Sequence, residues 1–133
     1  MAKNSLAKPD KWFSLYIRLR DADKEGNVTC CSCGKTFYWR DVDAGHFIPR
    51  QHRATRYNER NVHSQCRKCN RFDNGNPAGY ALFLIEKYGS GVLEELKVAS
   101  HGATRWTKFE INNMAEAFKA RAVELAHQKD LVI

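Results

Sequence analysis

The chain lacks any apolar run approaching the roughly 20 residues that a membrane span needs, so no transmembrane helix is expected. It lacks internal repeats and low-complexity tracts, which argues against a solenoid or a disordered polar chain. No secretory or targeting segment precedes its first cysteines, so a reducing, cytoplasmic setting is expected. It is also short of negative charge. Lys and Arg number 22 against 15 Asp and Glu, a formal net charge of +7 with a pI near 9.3. That balance favours a polyanionic partner: nucleic acid first, an anionic membrane surface as the alternative. At 133 residues and 43% hydrophobic content the chain can bury only a modest core, and a metal staple would help it. One domain, residues 1–133, is expected.

Four of the five cysteines form two Cys-x-x-Cys pairs, Cys30/Cys33 and Cys66/Cys69. Each such turn aims two sulfurs at one point, and two turns complete the tetrahedral thiolate set that structural zinc takes. Gly34, directly after Cys33, suits a tight knuckle that needs positive φ. Disulfides and a redox pair are the other readings. The absence of a signal peptide argues against the first, and the absence of a strand–helix–strand setting against the second. Cys31 is left over as a packed or exposed free thiol. It would replace Cys30 only through a shorter Cys-x-Cys spacing.

Hydrophobic periodicity sets the expected elements. Residues 1–9 read as polar and loose. Trp12, Phe13, Tyr16, Ile17 and Leu19 mark a helix over 10–22, with Arg18 and Arg20 facing outward as a solvated face or, as the lesser reading, a phosphate contact. Val28 to Trp39 reads as a β-hairpin with the first knuckle at its tip, its aromatic Phe37, Tyr38 and Trp39 favouring strand. Val42 to Ile48 reads as a strand carrying His46 and ended by Pro49. Residues 49–60 read as loop, and Arg67–Asn74 as a short helix entered from Asn61–Gln65. Asn76-Pro77 resembles an N-cap followed by proline at the first helical position, opening a helix to Tyr88. Ser90 is expected to cap another helix. A long amphipathic helix over 105–129 places Ile111, Met114, Phe118, Ala122 and Leu125 on one face, for packing within the chain or across a dimer. The fold class is therefore α+β: a zinc-stapled core over 28–76, flanked by the N-terminal helix and a helical part over 77–133.

Particular strings carry a family resemblance. Asp43-Ala44-Gly45-His46, then Arg56-Tyr57-Asn58-Glu59-Arg60-Asn61-Val62-His63-Ser64-Gln65-Cys66, then Cys69-Asn70 resemble the NinG/Rap family of lambdoid phages. The segment from Tyr16 to Asp23 is similar to that family's N-terminal part, and the likeness covers roughly residues 12–89. More broadly the pattern resembles the HNH superfamily with its ββα-metal site, and Cys-x-x-Cys followed at once by Asn is similar to endonuclease VII. The resemblance implies a structure-specific endonuclease of phage recombination. Its substrate would be branched DNA, including Holliday junctions, and it would work in the cytoplasm of the bacterial host.

His46 is the candidate general base, since a neutral imidazole can take a proton from water near neutral pH. A core hydrogen bond or zinc ligation is the plainer role for a histidine. The resemblance assigns Asn61 to the middle position of the motif, where an amide pins the loop beside His46, and Asn70 to the third. A divalent ion, Mg²⁺ or Mn²⁺, would use hard oxygen ligands. Candidates are Asn70, Asn74 one turn later, and Asp43. Many HNH sites carry an acid directly before the histidine, whereas Gly45 stands there in this chain. Asp43 and His46 are three apart, and a bulge at Ala44–Gly45 would bring them together; a plain turn or salt-bridge role for Asp43 is the alternative. His63 reads as a support for the site or a substrate contact, and His101 and His127 as surface residues.

Arg50, Arg53, Arg56, Arg60, Arg67, Lys68 and Arg71 face only one acid, Glu59, between His46 and Arg71. Such a run is ordinarily a solvated face. Beside the proposed site it becomes a candidate DNA-binding surface, with His52 as a further phosphate contact. No stretch resembles a base-reading helix, so recognition of backbone and shape is expected. A homodimer is the expected assembly, since symmetric resolution of a junction takes two sites, and recombination proteins are possible partners. The alternatives are a zinc-stabilised junction-binding module without cleavage activity and a nonspecific HNH nuclease.

Overall fold

In the computed structural model, which describes residues 5–133, the first element is helix α1, Ala7–Asp21. It starts earlier than expected, with Pro9 in the first turn, where a backbone N–H has no intrahelical partner to lose. The loose segment expected at residues 1–9 is shortened accordingly; its residues 1–4 lie outside the described residues. One side of α1 buries Phe13 and Ile17 against Val62, Tyr57 and Phe118. The other buries Leu19, next to Ala22, with Val28, Trp39, Val42, Ala122 and Ala126.

Burial on two sides overturns the outward placement of Arg18 and Arg20. Arg20 donates to the carbonyls of Glu59 (3.0 Å) and Val62 (2.9 Å) and to the Asp21 carboxylate (2.8 Å). Arg18 donates to Ser14 and to the Trp39 carbonyl. Both stems lie along apolar surface while the guanidinium groups find oxygen acceptors.

The expected hairpin forms. Strand β1 (Asn27–Thr29) pairs antiparallel with β2 (Thr36–Tyr38), Val28 opposite Phe37. Gly34 takes φ +77° at the knuckle, as anticipated. A 3-10 turn, Trp39–Asp41, leads into β3, Val42–His46. Its partner β4, Val62–Cys66, is a strand that periodicity did not announce. Every residue of β4 is buried, so the polar-apolar alternation of a half-exposed strand is missing. The register runs from Val42 opposite Cys66 to His46 opposite Val62, without interruption. The bulge expected at Ala44–Gly45 is therefore absent.

The connection 47–61 contains a short helix, α2 (Arg53–Arg56), where loop was expected. Polar ties hold it, which is why it shows little apolar periodicity. A π-turn over Lys68–Phe72 replaces the longer helix expected to Asn74, and Asn74 lies beyond it at φ +51°. Helix α3 spans Pro77–Tyr88, with the Asn76 side chain accepting from the Gly79 N–H as cap. Helix α4 spans Val92–Ser100; its N-cap is Gly91 rather than Ser90, with no side-chain cap bond. Helix α5, Lys108–Lys129, starts at a capping box formed by Thr107 and Glu110. Its apolar face packs along α1, with the Phe118 and Phe13 rings 4.9 Å apart. The stripe considered for a dimer contact is thus largely occupied within the chain. Among the described residues no helix is long and apolar enough to cross a membrane.

The end of α5 closes the end of α1. Lys129 Nζ donates to the carbonyls of Leu19 (2.7 Å), Arg20 (3.1 Å) and Ala22 (2.6 Å), which the last turn of α1 leaves exposed to a cation. Lys129→Met should lower stability by about 1–3 kcal/mol. Urea denaturation measures this, and an unchanged midpoint would show the tie to be dispensable.

Candidate functional site: a cysteine cluster beside a cationic cleft

The two knuckles meet. Cys30 and Cys33 come from the tip of the β1–β2 hairpin, Cys66 from the end of β4, and Cys69 from the π-turn. Their four sulfurs all lie within 4.8 Å of one another, with Cys33 and Cys66 3.9 Å apart. A tetrahedron of Zn–S bonds near 2.3 Å sets its sulfurs about 3.8 Å apart, so both donor set and spacing fit structural zinc. Burial works against a charged Cys30. However, the backbone N–H groups of Cys66, Cys33 and Ser32 point at its sulfur and bring its pKa down to about 7. Asn76, the cap of α3, also donates to Cys69 Sγ at 3.4 Å. The knuckle and the helix behind it thus share one residue. Cys31 points elsewhere, into an apolar cluster with Tyr80, Leu84, Val92 and Leu96, where burial pushes its pKa up.

His46 ends β3 at the edge of an open cleft of about 720 Å³, which Asp43, Asn70 and Asn74 also line. Its Nε2 lies 2.9 Å from the Arg56 carbonyl oxygen. A carbonyl only accepts, so Nε2 carries the proton and Nδ1 keeps its lone pair. Burial, helped by the charges of Arg50 and Arg56, pulls the His46 pKa down to about 4, so the ring is neutral at pH 7. The carbonyl that orients it is itself held. Arg56 donates to both oxygens of Asp10, and Tyr57 donates to Asp10 at 2.6 Å. Asn61 clamps the same connection: Oδ1 accepts from Ile48 N–H (2.8 Å), and Nδ2 donates to the carbonyls of Ile48 (3.0 Å) and Thr55 (3.1 Å). Asn61 therefore pins the loop from both sides.

Asp43 and His46 line one cleft even though the strand between them is regular. Gly45 has a steric reason: a Cβ there would fall 2.0 Å from Gln65 Oε1 and 2.9 Å from Gln65 Cβ. An acid directly before the histidine would not fit this packing. Asn70 Nδ2 donates to Asp43 at 2.9 Å, which leaves the Asn70 oxygen as a donor atom for a cation. Arg71 takes both oxygens of Asp43, at 2.8 and 2.9 Å. Burial opposes ionisation of Asp43, yet Arg71 and Asn70 outweigh it and hold its pKa below the usual range. Asn74 reaches the cleft from its left-handed turn rather than from the face of a helix shared with Asn70.

The cations separate into groups. Arg50, Arg67 and Arg71 line the cleft, joined by Arg18, for which phosphate contact was the lesser reading, and by Arg40, which sequence reasoning did not select. Arg56 is committed to Asp10. Arg60 pairs with Glu95 and lines a second cavity with His63 and Tyr88. Arg53 stacks over Trp106, Lys68 pairs with Asp73, and His52 is exposed. His63 is buried between Tyr80 and Tyr88. Tyr80 passes its hydroxyl hydrogen to the Gly45 carbonyl at 2.7 Å, supporting the peptide ahead of His46. Nothing in the local sequence marks Asp10 or Tyr80 as supports; both lie more than thirty residues from the group each holds.

A family model for the bacteriophage lambda NinG protein matches residues 3–128. The chain is 34% identical over 116 residues to protein ninG of Salmonella phage P22, covering 83% of this chain and 52% of that protein. To protein ninG of Escherichia phage lambda it is 33% identical over 120 residues, covering 86% and 53%. The chain thus spans about half the length of these curated relatives. No solved structure matches it.

Three outcomes are expected. Purified protein should carry one zinc per chain; Cys69→Ser should lose it and Cys31→Ser keep it. Metal analysis decides, and full zinc in Cys69→Ser would remove the cluster as its site. Gly45→Ala should cost about 1–3 kcal/mol in urea through overpacking on Gln65. Burial, then the Arg20 charge, lowers the His63 pKa to about 3. The unfolded state therefore takes up a proton near pH 6.5 that the folded state refuses, and stability falls as pH drops below that value. His63→Gln should relieve about 1 kcal/mol of the loss between pH 7 and 5.5. Paired urea titrations would show an equal loss in both proteins if His63 played no part.

Proposed function

Because the chain belongs to the NinG family, we propose that it is a metal-dependent DNA endonuclease with an HNH-like site, cutting branched DNA such as Holliday junctions. The observation that carries the reading is His46: a neutral imidazole oriented through Nε2, with Nδ1 unbonded among the described residues, at the edge of an arginine-lined cleft. Nδ1 takes a proton from water, the oxygen attacks phosphorus, and the bond to the 3′-oxygen breaks. The products are a 5′-phosphate and a 3′-hydroxyl, the leaving oxygen taking its proton from solvent. Arg56, Asp10 and Asn61 keep the ring and loop in place through these steps.

Asp43 and Asn70, with Asn74 nearby, offer the oxygen donors for Mg²⁺ or Mn²⁺. Two protein oxygens suit an ion that retains waters and takes a substrate phosphate. Such an ion supplies Lewis-acid stabilisation of charge on the phosphate and the leaving oxygen. Arg71, exposed at the rim, must release Asp43 for this, and the incoming phosphate offers it a replacement partner. Preference for branched DNA and a place in phage recombination rest on the family likeness. A cationic cleft without a base-reading helix fits recognition of backbone. A homodimer would present the two sites that symmetric resolution takes.

One observation favours a junction-binding module without cleavage activity: both carboxylates lining the cleft, Asp10 and Asp43, are held by arginines. A labelled four-way junction and a matched linear duplex, incubated with Mg²⁺, separate the readings. Wild type should cut the junction, and His46→Ala should slow cutting by about 100- to 10,000-fold while binding persists. No cutting with Mg²⁺ or Mn²⁺ by protein that still shifts the junction would establish the binding module. Equal cutting of both substrates would establish a nonspecific nuclease.

A further inference from the structure

Six arginines of the chain pair with a carboxylate. Arg20 has Asp21, Arg50 and Arg56 share Asp10, Arg60 has Glu95, Arg71 has Asp43, and Arg121 has Glu59. Among the described residues, Arg53 and Arg105 form no ion pair with a carboxylate but do not line the cleft; Arg18, Arg40 and Arg67 form none either. They nevertheless gather from three separate elements: α1, the 3-10 turn, and the residue after Cys66. Arg18 and Arg40 both lie over the Trp39 ring, 5.5 and 4.5 Å from its centroid. Arg18 also donates to the Trp39 carbonyl (3.4 Å), and Arg67 to the Arg40 carbonyl (3.2 Å).

These are fixed guanidinium groups. Stacking and one or two backbone acceptors use only some of the five N–H donors on each. Burial lowers the Arg18 pKa, the Asp43 carboxylate works against that, and the charges of Arg40 and Arg67 lower it further. Asp43 is already taken by Arg71. Three cations held together without a carboxylate of their own are an arrangement that an anion relieves, and forked donors on a rigid aromatic base match phosphate oxygens.

We propose that the Trp39-backed cluster of Arg18, Arg40 and Arg67 is a second phosphate subsite, which holds a backbone phosphate of the bound nucleic-acid strand apart from the one presented to His46. It rests on the reading of the cleft as a nucleic-acid site and adds a second point of attachment to it. Two fixed points on one strand determine which phosphodiester reaches His46. Arg40 and Arg67 lie outside the zinc ligands and are exposed, so their removal leaves the core intact.

Fluorescence anisotropy with a labelled four-way junction, titrated with salt, tests the subsite. Zinc-loaded wild type, Arg40→Gln, Arg67→Gln, Arg18→Lys and an exposed control on α4, Lys97→Gln, are compared, each checked by thermal melting. Arg40→Gln and Arg67→Gln should each weaken binding about 5-fold near physiological salt and reduce the slope of log K against log salt by about one. Arg18→Lys keeps the charge but loses the fork, so affinity should fall with little change in slope. Lys97→Gln should match wild type. Unchanged affinity and slope in Arg40→Gln and Arg67→Gln, with wild type binding well, would overturn the subsite and leave the nuclease reading standing. No binding of DNA by wild type would overturn the nucleic-acid reading of the cleft itself. Displacement of the junction by low-millimolar inorganic phosphate from wild type, but not from these variants, would show that phosphate and strand compete for the cluster and support the subsite.

Discussion

The antiparallel pairing of β3 with β4 is the contact on which the rest of the molecule depends. One end of the pair places Cys66 opposite Val42, and the other places Val62 opposite His46. The cysteine cluster and the histidine are therefore the two ends of one five-residue ladder. A shift of register by one residue would turn His46 to the opposite face and carry Cys66 away from Cys30. The cysteine cluster closes β4 onto the first hairpin, and the clamp made by Asn61 closes the connection at the other end. In a chain with a modest core, such ties supply what apolar area alone does not.

The centre of this fold is unusually polar, and most of its buried polar groups find partners; among the described residues Trp39 Nε1, Ser64 Oγ and Gln65 Oε1 do not. Asn61, His63 and the Gln65 amide sit on or beside a strand covered on both faces, and each donates to or accepts from a group on another element. A buried amide or imidazole without a partner would cost about 1–3 kcal/mol. The same bonds that satisfy these groups also aim the site. Tyr80 supports the Gly45 carbonyl, and Arg56 presents the acceptor that sets the His46 tautomer. Stability and positioning are here two consequences of one network.

Charge follows a similar division. A long basic run around the site looks uniform in sequence, but pairing separates it. Asp10, Glu95 and Asp43 each claim specific arginines, and Trp39 gathers others that no carboxylate claims. What remains available to a polyanion is decided less by the number of cations than by which of them are already neutralised.

The cysteine spacing, the positive φ at Gly34, the hairpin, the Asn76-Pro77 helix start and the NinG kinship were all legible in the chain, because each rests on residues close in sequence or on a fixed string. The backbone bonds of Asn61 were also anticipated, since an amide side chain can bond both N–H and C=O groups. Strand β4 was not, since burial on both faces erases the alternation by which a strand is read. Nor were the burial of Arg18 and Arg20, the regular ladder at Gly45, or the supports from Asp10 and Tyr80. Each of those depends on atoms brought together from distant elements: α5 laid along α1, Gln65 crossing above Gly45, α3 folded behind β4. Local chemistry settled which groups the molecule has to work with. Tertiary packing settled which of them are buried, paired or left free, because burial and pairing are properties of neighbours and not of a residue.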